Sequence, residues 1–243
     1  MKDNLFENLN LDLNSTNQKL MKMSSLDIIE WGYTTFKNKL AFTTSFGIQS
    51  AVLLNIIQHS SLKNKVKIFW IDTGYLPTET YKYAENLMKK LSLNIQVLQS
   101  EISPARMEAL YGKIWESKKS DDLDRYHKIR KIDPLEKALN EHSIQCWGSG
   151  VRAEQTHHRG TMKFIDNFRE RISLRPLLGW SNKDIFYYMQ ENNLPQHPLF
   201  MKGYSSVGDW HSSGPETEET QGRNTRFRGI KQECGLHTDS SNQ

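Results

Sequence analysis

Apolar residues run along this chain in two rhythms. Short unbroken stretches, Leu40-Ala41-Phe42-Thr43-Thr44, Val66 to Ile71, Ile95 to Leu98 and Ile144 to Trp147, read as buried strands. Between them the spacing changes to three and four. Leu26 to Tyr33 predicts a helix capped by Ser24 or Ser25, and Ala51 to Ile57 predicts another. A third starts at about Thr78 and places Ala84, Leu87, Met88 and Leu91 on one face. From Glu101 to Glu141 the pattern is helical and charged, with Pro104 and Pro134 near helix starts. Ile172 to Leu178 is extended, and Ser181 with Asp184 forms a capping-box spacing ahead of Ile185 to Met189. Strands alternating with helices at this interval predict βαβ units, and therefore an α/β fold with a twisted, mostly parallel sheet flanked by helices.

The same pattern divides the chain. Residues 1–24 are Asn-rich and polar and read as a loosely held leader. Residues 25–200 contain the α/β domain. Residues 201–243 form a loop-rich, flexible tail, the periodicity having been lost from Asn192 onward. A long irregular stretch in a compact protein points to a functional loop or lid.

In parallel sheets, ligands sit at the carboxyl ends of the strands. Two stretches fall there. Ser45-Phe46-Gly47-Ile48-Gln49-Ser50 joins a strand to a helix N-terminus, where backbone N–H groups and the helix dipole favour an anion. Gly47 permits a tight turn and close approach, and Ser45 and Ser50 add hydroxyl donors. No Gly-Lys-Ser/Thr follows, so this is not a Walker turn. Asp72-Thr73-Gly74-Tyr75 closes the second strand, where Asp72 can accept hydrogen bonds from a ribose or a base amine; taken alone it reads as a turn aspartate. Arg152 and Arg159 follow the strand that ends at Trp147, where a phosphate would be held, although either one singly reads as a surface arginine.

Charge and cysteine content narrow the class. The net charge is only +4, with the basic residues gathered between Arg125 and Lys131 and in the last quarter. That balance suits a small polyanionic ligand, and no aromatic–basic interleaving or reading motif points to nucleic acid. No apolar run reaches membrane-spanning length and no signal-peptide core opens the chain, so a soluble, cytoplasmic protein is expected. Cys146 and Cys234 are the only cysteines, too few for a disulfide scaffold or a four-thiolate cluster. Cys146 lies in a strand and reads as a small buried hydrophobe. Cys234 lies in Arg226-Phe227-Arg228-Gly229-Ile230-Lys231-Gln232-Glu233-Cys234-Gly235-Leu236-His237, three cationic residues with His237 as a potential fourth. Nearby positive charge lowers a thiol's pKa and makes it a nucleophile, and the same cations would hold phosphate or sulfate oxygens.

Taken together, Ser45 to Ser50, Asp72 to Tyr75, Arg152-Ala-Glu-Gln155, Tyr204-Ser-Ser-Val-Gly-Asp209 with His211, and Lys231 to His237 resemble, in that order, the phosphoadenylyl-sulfate reductase family. The likeness runs from about residue 38 to 237, and its Glu-Cys-Gly-Leu-His ending is highly specific; the first turn is shared in outline with PP-loop-like adenine-nucleotide alpha-hydrolases. The resemblance implies an enzyme of assimilatory sulfate reduction that converts 3′-phosphoadenylyl sulfate to sulfite and adenosine 3′,5′-bisphosphate. Cys234 would pass through an S-sulfocysteine, and thioredoxin or glutaredoxin would supply electrons. It further implies that the Ser45-Phe46-Gly47 turn with Gln49 and Ser50, Asp72-Thr73-Gly74, Arg152, Arg159, Arg226 and His237 line the substrate site, with Arg223 and Lys231 resting on neighbourhood alone. A homodimer, with the cysteine tail folding over the site, is the implied assembly.

Sulfite release consumes two electrons, one thiol cannot supply both, and neither a Gly-x-Gly-x-x-Gly fingerprint nor a cluster ligand set is present. The iron–sulfur sister branch carries cysteines where this chain reads Tyr126-His127 and Gly208 to Ser213, so a cluster-free enzyme is expected. The alternatives are a cluster-free adenylyl-sulfate reductase, an ATP pyrophosphatase, against which Phe46 and Gln49 argue, and a catalytically silent adenine-nucleotide-binding module.

Overall fold

The computed structural model describes residues 11–230, 232–233 and 235–237. Six strands, β1 (Leu40–Thr44), β2 (Lys67–Asp72), β3 (Ile95–Gln99), β4 (Cys146–Gly148), β5 (Ile165–Phe168) and β6 (Arg171–Leu174), form one sheet in the order β3-β2-β1-β4-β6-β5. All neighbours are parallel except β5 and β6, which pair antiparallel at one edge. The strands read as unbroken apolar runs because alternate residues serve two cores. Leu40, Phe42, Ile68 and Trp70 pack into a cluster on one face, and Ala41, Phe69, Ile71 and Trp147 into a cluster on the other. β4 meets β1 closely only because residue 148 is glycine: a Cβ there would sit 2.2 Å from the Phe42 ring.

Most predicted elements form where the periodicity placed them. Helices occupy Ser25–Phe36 with Ser24 as N-cap, Ser50–His59, Thr78–Leu91, and Asn182–Glu191 behind the Ser181/Asp184 capping box. Three features differ. The leader contains a helix, Leu13–Leu20, capped by Asp12, and Leu20 is fully buried in the core. Asn17 fixes it by exchanging hydrogen bonds with the Ile165 backbone at 2.9 and 3.0 Å, so part of the leader belongs to the folded body. Strand β5 has no apolar alternation (Ile165-Asp-Asn-Phe168) and exists through its hairpin with β6, whose turn residues Arg169 and Glu170 both adopt positive φ.

The third difference positions the site. Ser120–His127 continues into Asp133–Glu141 through a π-helical turn, Lys128–Ile132. That wide turn lies just before Pro134, which has no N–H to return to the Arg130 carbonyl. It directs Arg130 and Lys131, part of the basic cluster seen in the sequence, into the protein, where they are 2% and 7% exposed. Beyond Asn192, among the described residues, only short 3₁₀ turns occur, the longest spanning Gly222–Gly229. No helix among the described residues is long and apolar enough to cross a membrane.

Candidate active site

Chain order reverses about β1: β2 lies on one side of it and β4 on the other. The crevice at such a point, beyond the carboxyl ends of the strands, is where open α/β sheets bind ligands. A cavity of about 210 Å³ opens there, between the Ser45–Ser50 turn, the residues after β4, the Ser205–Asp209 loop and the tail.

The turn after β1 is built around Phe46, which is fully buried, packs edge-on against Trp70 at 4.8 Å, and takes a φ of 47°. Its N–H donates to Thr44 Oγ1 at 3.2 Å. Phe46 therefore anchors the turn and does not face the cavity, whereas Ser45, Gly47, Gln49 and Ser50 do. Gly47 has no positive φ, and a Cβ there would fall 3.3 Å from Ser45 Oγ and 3.4 Å from the Val207 carbonyl, a tight fit that glycine relieves. No side chain caps the helix that follows, so its positive end is presented to the crevice. Gln49 is held by Arg152, whose guanidinium donates to Gln49 Oε1 (2.5 Å), Asn182 Oδ1 (2.8 Å) and the Trp180 carbonyl (3.1 Å). Arg152 lines the cavity, and its guanidinium ties the turn, through Gln49, to Trp180 and Asn182.

At the end of β2 the three motif residues diverge. Asp72 accepts from Gly74 N–H (2.8 Å), from Tyr81 Oη (2.6 Å) in the helix that follows and from Gln99 Nε2 (2.8 Å) at the end of β3, so its oxygens are already engaged and it does not line the cavity. Gly74, at φ 73°, is also off the cavity; a Cβ there would meet Pro104 at 2.7 Å. Thr73 does line it, and its hydroxyl donates to Asp209 Oδ1 at 2.5 Å. Asp209 is fully buried, and its other oxygen lies 2.6 Å from Lys131 Nζ. Burial alone would raise the Asp209 carboxyl; Lys131, His211 and the Thr73 hydroxyl outweigh it and hold the group well below the usual carboxylate range. Behind this pair, His211 stacks on Trp115 and shares a hydrogen bond with Tyr126 Oη at 3.0 Å. Burial lowers the His211 pKa to about 4, so the ring is neutral at pH 7. Lys131 escaped sequence reasoning as a site residue. The signal was present in two places, the Arg130-Lys131 step and the Gly208-Asp209 step, which the fold joins through an ion pair.

Arg226 reaches the cavity across Gly208. Its guanidinium donates to Ser212 Oγ at 2.9 Å and Ser213 Oγ at 3.3 Å, and a Cβ on Gly208 would lie 2.2 Å from its nitrogen. Arg159 and Arg223 line the opposite part and meet the tail. Arg159 grips the Glu233 carboxylate with Nε at 2.9 Å and Nη2 at 2.7 Å, and Arg223 holds the Gln232 carbonyl at 2.7 and 3.1 Å. His237 stacks on Trp147 at 5.2 Å. Its burial, together with Arg159, Arg175, Arg223 and Arg169 around it, pushes its pKa well down, so it is a neutral ring and not a further cation of the run. Cys234 and Lys231 lie outside the described residues. Cys146 is fully buried and burial pushes its thiol pKa well up, which leaves it unreactive.

Among the described residues, five cations (Lys131, Arg152, Arg159, Arg223, Arg226) and one carboxylate (Asp209) line the cavity. That excess, beside a helix N-terminus, is complementary to a small polyanion.

A family profile, the phosphoadenosine phosphosulfate reductase domain, matches residues 39–215. The phosphoadenosine 5′-phosphosulfate reductase of Synechococcus sp. is 49% identical over 226 residues, covering 93% of this chain and 97% of that protein. The protein of the same name from Vibrio cholerae is 38% identical over 229 residues, 94% of this chain and 89% of that one. Among solved structures, phosphoadenylyl-sulfate reductase from Candida auris in a phosphate complex matches with a TM-score of 0.72 and 26% identity, over 84% of this chain and 98% of that one. FMN adenylyltransferase from Candida glabrata shares the fold alone, with a TM-score of 0.59 and 14% identity over 89% of this chain and 73% of that one.

Proposed function

The chain belongs to the phosphoadenosine phosphosulfate reductase family, and from that premise we propose that it reduces 3′-phosphoadenylyl sulfate to sulfite and adenosine 3′,5′-bisphosphate in assimilatory sulfate reduction. The observation that supports this most is the cationic cavity, lined in part by Leu236 and His237 of the tail, with Glu233 held by the cavity-lining Arg159.

The Cys234 thiolate attacks the sulfur of the sulfonyl group. An S–S bond forms, the bond from sulfur to the bridging phosphate oxygen breaks, and its electron pair leaves with adenosine 3′,5′-bisphosphate. Charge accumulates on that phosphate as it departs. Lys131, Arg226, Arg159 and Arg223, together with the N-terminus of the Ser50–His59 helix, are arranged to stabilise it. Gln49, Ser45 and Ser50 contact the nucleotide from the braced turn. A thiol of a dithiol donor, thioredoxin or glutaredoxin, then attacks Cys234 Sγ; sulfite leaves with the S–S electron pair. The donor's second thiol resolves the mixed disulfide and restores Cys234. The donor is external because the only other thiol, Cys146, is buried in the sheet. Two cysteines cannot ligate a four-thiolate cluster, so the reaction proceeds on thiol chemistry alone.

The test is the intact mass of the protein after incubation with 3′-phosphoadenylyl sulfate in the absence of reductant, with peptide mapping of both cysteines. One sulfonate on Cys234 and none on Cys146 is the expected result. An unmodified Cys234 in protein that binds the nucleotide would overturn the mechanism. Repeating the incubation with adenylyl sulfate tests the substrate, and a brown, iron-containing preparation would contradict the cluster-free scheme.

A further inference from the structure

Cys234 is flanked by two anchored neighbours. On one side, the Glu233 carboxylate is 7% exposed and receives three hydrogen bonds: two from Arg159 in a bidentate fork, and one from the Thr156 hydroxyl at 2.9 Å. Thr156 uses the same oxygen to cap the turn that holds Arg159, accepting from the Arg159 N–H at 3.1 Å. Arg223 lies 3.6 Å from the carboxylate and holds the preceding carbonyl of Gln232. On the other side, the Gly235 carbonyl accepts from Arg169 Nη2 at 2.5 Å, and Gly235 passes so close to His127 that a Cβ would lie 3.2 Å from it.

We propose that Glu233 is a positioning residue that docks the segment bearing Cys234 onto Arg159, fixing the stance from which sulfur is attacked. The inference rests on the reductase reading of this site. A bidentate carboxylate–guanidinium pair specifies distance and orientation together, which a single hydrogen bond to a backbone carbonyl does not. Buried pairs of this type contribute little net stability against apolar replacements and act chiefly on specificity of arrangement. Arrangement is what the first chemical step needs, since attack proceeds only when nucleophile and target are close and aligned. Glu233 points at Arg159 Nε and Nη2, and Arg159 in turn lines the cavity. The carboxylate itself does not line the cavity. Burial would raise its pKa, but Arg159 dominates and keeps the group ionised. The dock therefore persists at neutral pH, and the tail has to leave it before a donor protein reaches the S-sulfocysteine.

The test uses full-length Glu233→Gln, with Thr156→Val as a second variant that keeps the charge. Three quantities are measured: affinity for adenosine 3′,5′-bisphosphate, the single-turnover rate of Cys234 sulfonation at saturating substrate, and hydrogen exchange of amides 232–237. Losing a charge-assisted fork lowers the sulfonation rate of Glu233→Gln by about tenfold to a hundredfold. Nucleotide affinity changes by less than about threefold, tail exchange accelerates, and release of sulfite from preformed S-sulfocysteine by a dithiol is unchanged or faster. Thr156→Val shifts the same quantities in the same direction by a smaller factor. A wild-type sulfonation rate in Glu233→Gln overturns the proposal. So does a loss of nucleotide affinity with an unchanged saturated rate, or a gain in affinity, which would make Glu233 a competitor of the substrate for Arg159. If the wild-type protein itself acquires no sulfonate, the reductase reading fails; unchanged tail exchange in Glu233→Gln would then separately refute the dock.

Discussion

Asp209 and Lys131 offer the sharpest test of how the cavity is held in shape. Asp209 is fully buried and the Lys131 side chain is 8% exposed, with 2.6 Å between their charged atoms. Asp209→Asn keeps the size of the side chain and an acceptor for the Thr73 hydroxyl, but strands the Lys131 ammonium without a counter-charge. Breaking a buried pair from one side costs about 3–5 kcal/mol. Because the amide still solvates Lys131 in part, we place Asp209→Asn near the low end, at roughly 3 kcal/mol. For a chain of this length that corresponds to a fall in melting temperature of about 6–12 °C. The assay is reversible urea unfolding at pH 7, repeated across acid pH. Asp209 has a folded-state pKa below its unfolded value, so its stabilisation is complete above about pH 4 and is lost as the pH falls through the folded value. The gap between wild type and Asp209→Asn should stay constant from pH 8 to 5 and close only in strong acid. Adding Lys131→Met to Asp209→Asn removes the stranded charge and should recover most of the lost stability. A loss under about 0.5 kcal/mol at pH 7, or a double variant no more stable than Asp209→Asn, would show that the pair is not the element holding the 205–209 loop to the π-helical turn.

Gly208→Ala places a methyl group where the Arg226 guanidinium lies, 2.2 Å from its nitrogen, so Arg226 must leave Ser212 and Ser213; KM for the nucleotide substrate should rise about tenfold with little change in melting temperature, and an unchanged KM would mean that Arg226 does not face the substrate. Burial holds His197, bonded to Thr80 and the Leu199 N–H, down to about 4. Its unfolded form takes up a proton near pH 6.5 and its folded form does not, so as the pH drops from 6.5 to 4 stability should fall by about 3 kcal/mol from this group; His197→Gln should remove that share of the slope in a pH series of unfolding free energies, leaving the part due to His211 and His237, and an identical slope would contradict the assignment. Cys146 is sealed in β4, so Cys146→Ala should leave the sulfite-forming rate at the wild-type value, and native protein treated with a thiol reagent should carry no label on Cys146. A label there within the mixing time would place a second reactive thiol in the reaction.

The sheet was legible because burial on both faces demands apolar residues at successive positions, and β1, β2 and β4 supply them without interruption. Strand β5 was not, because an edge strand made by a hairpin needs only one buried residue, Ile165, and its partner supplies the rest. The leader helix escaped for a related reason: its pattern is polar, and its place depends on Asn17 reading the Ile165 backbone, a contact between residues 148 apart in the chain. At the site, motifs located the right loops but did not say which side chains would turn inward. Asp72 and Phe46 sit in those loops but are already engaged, one by Gly74, Tyr81 and Gln99 and the other in anchoring its turn against Trp70. Lys131 enters instead because a proline three residues later widens a helical turn, and Asp209 meets it from the far end of the chain. Local pattern therefore finds the strand ends where a polyanion can bind. Which cations face it is decided by long-range pairings of buried charge, and each of those pairings needs its partner in the fold before either residue has a role.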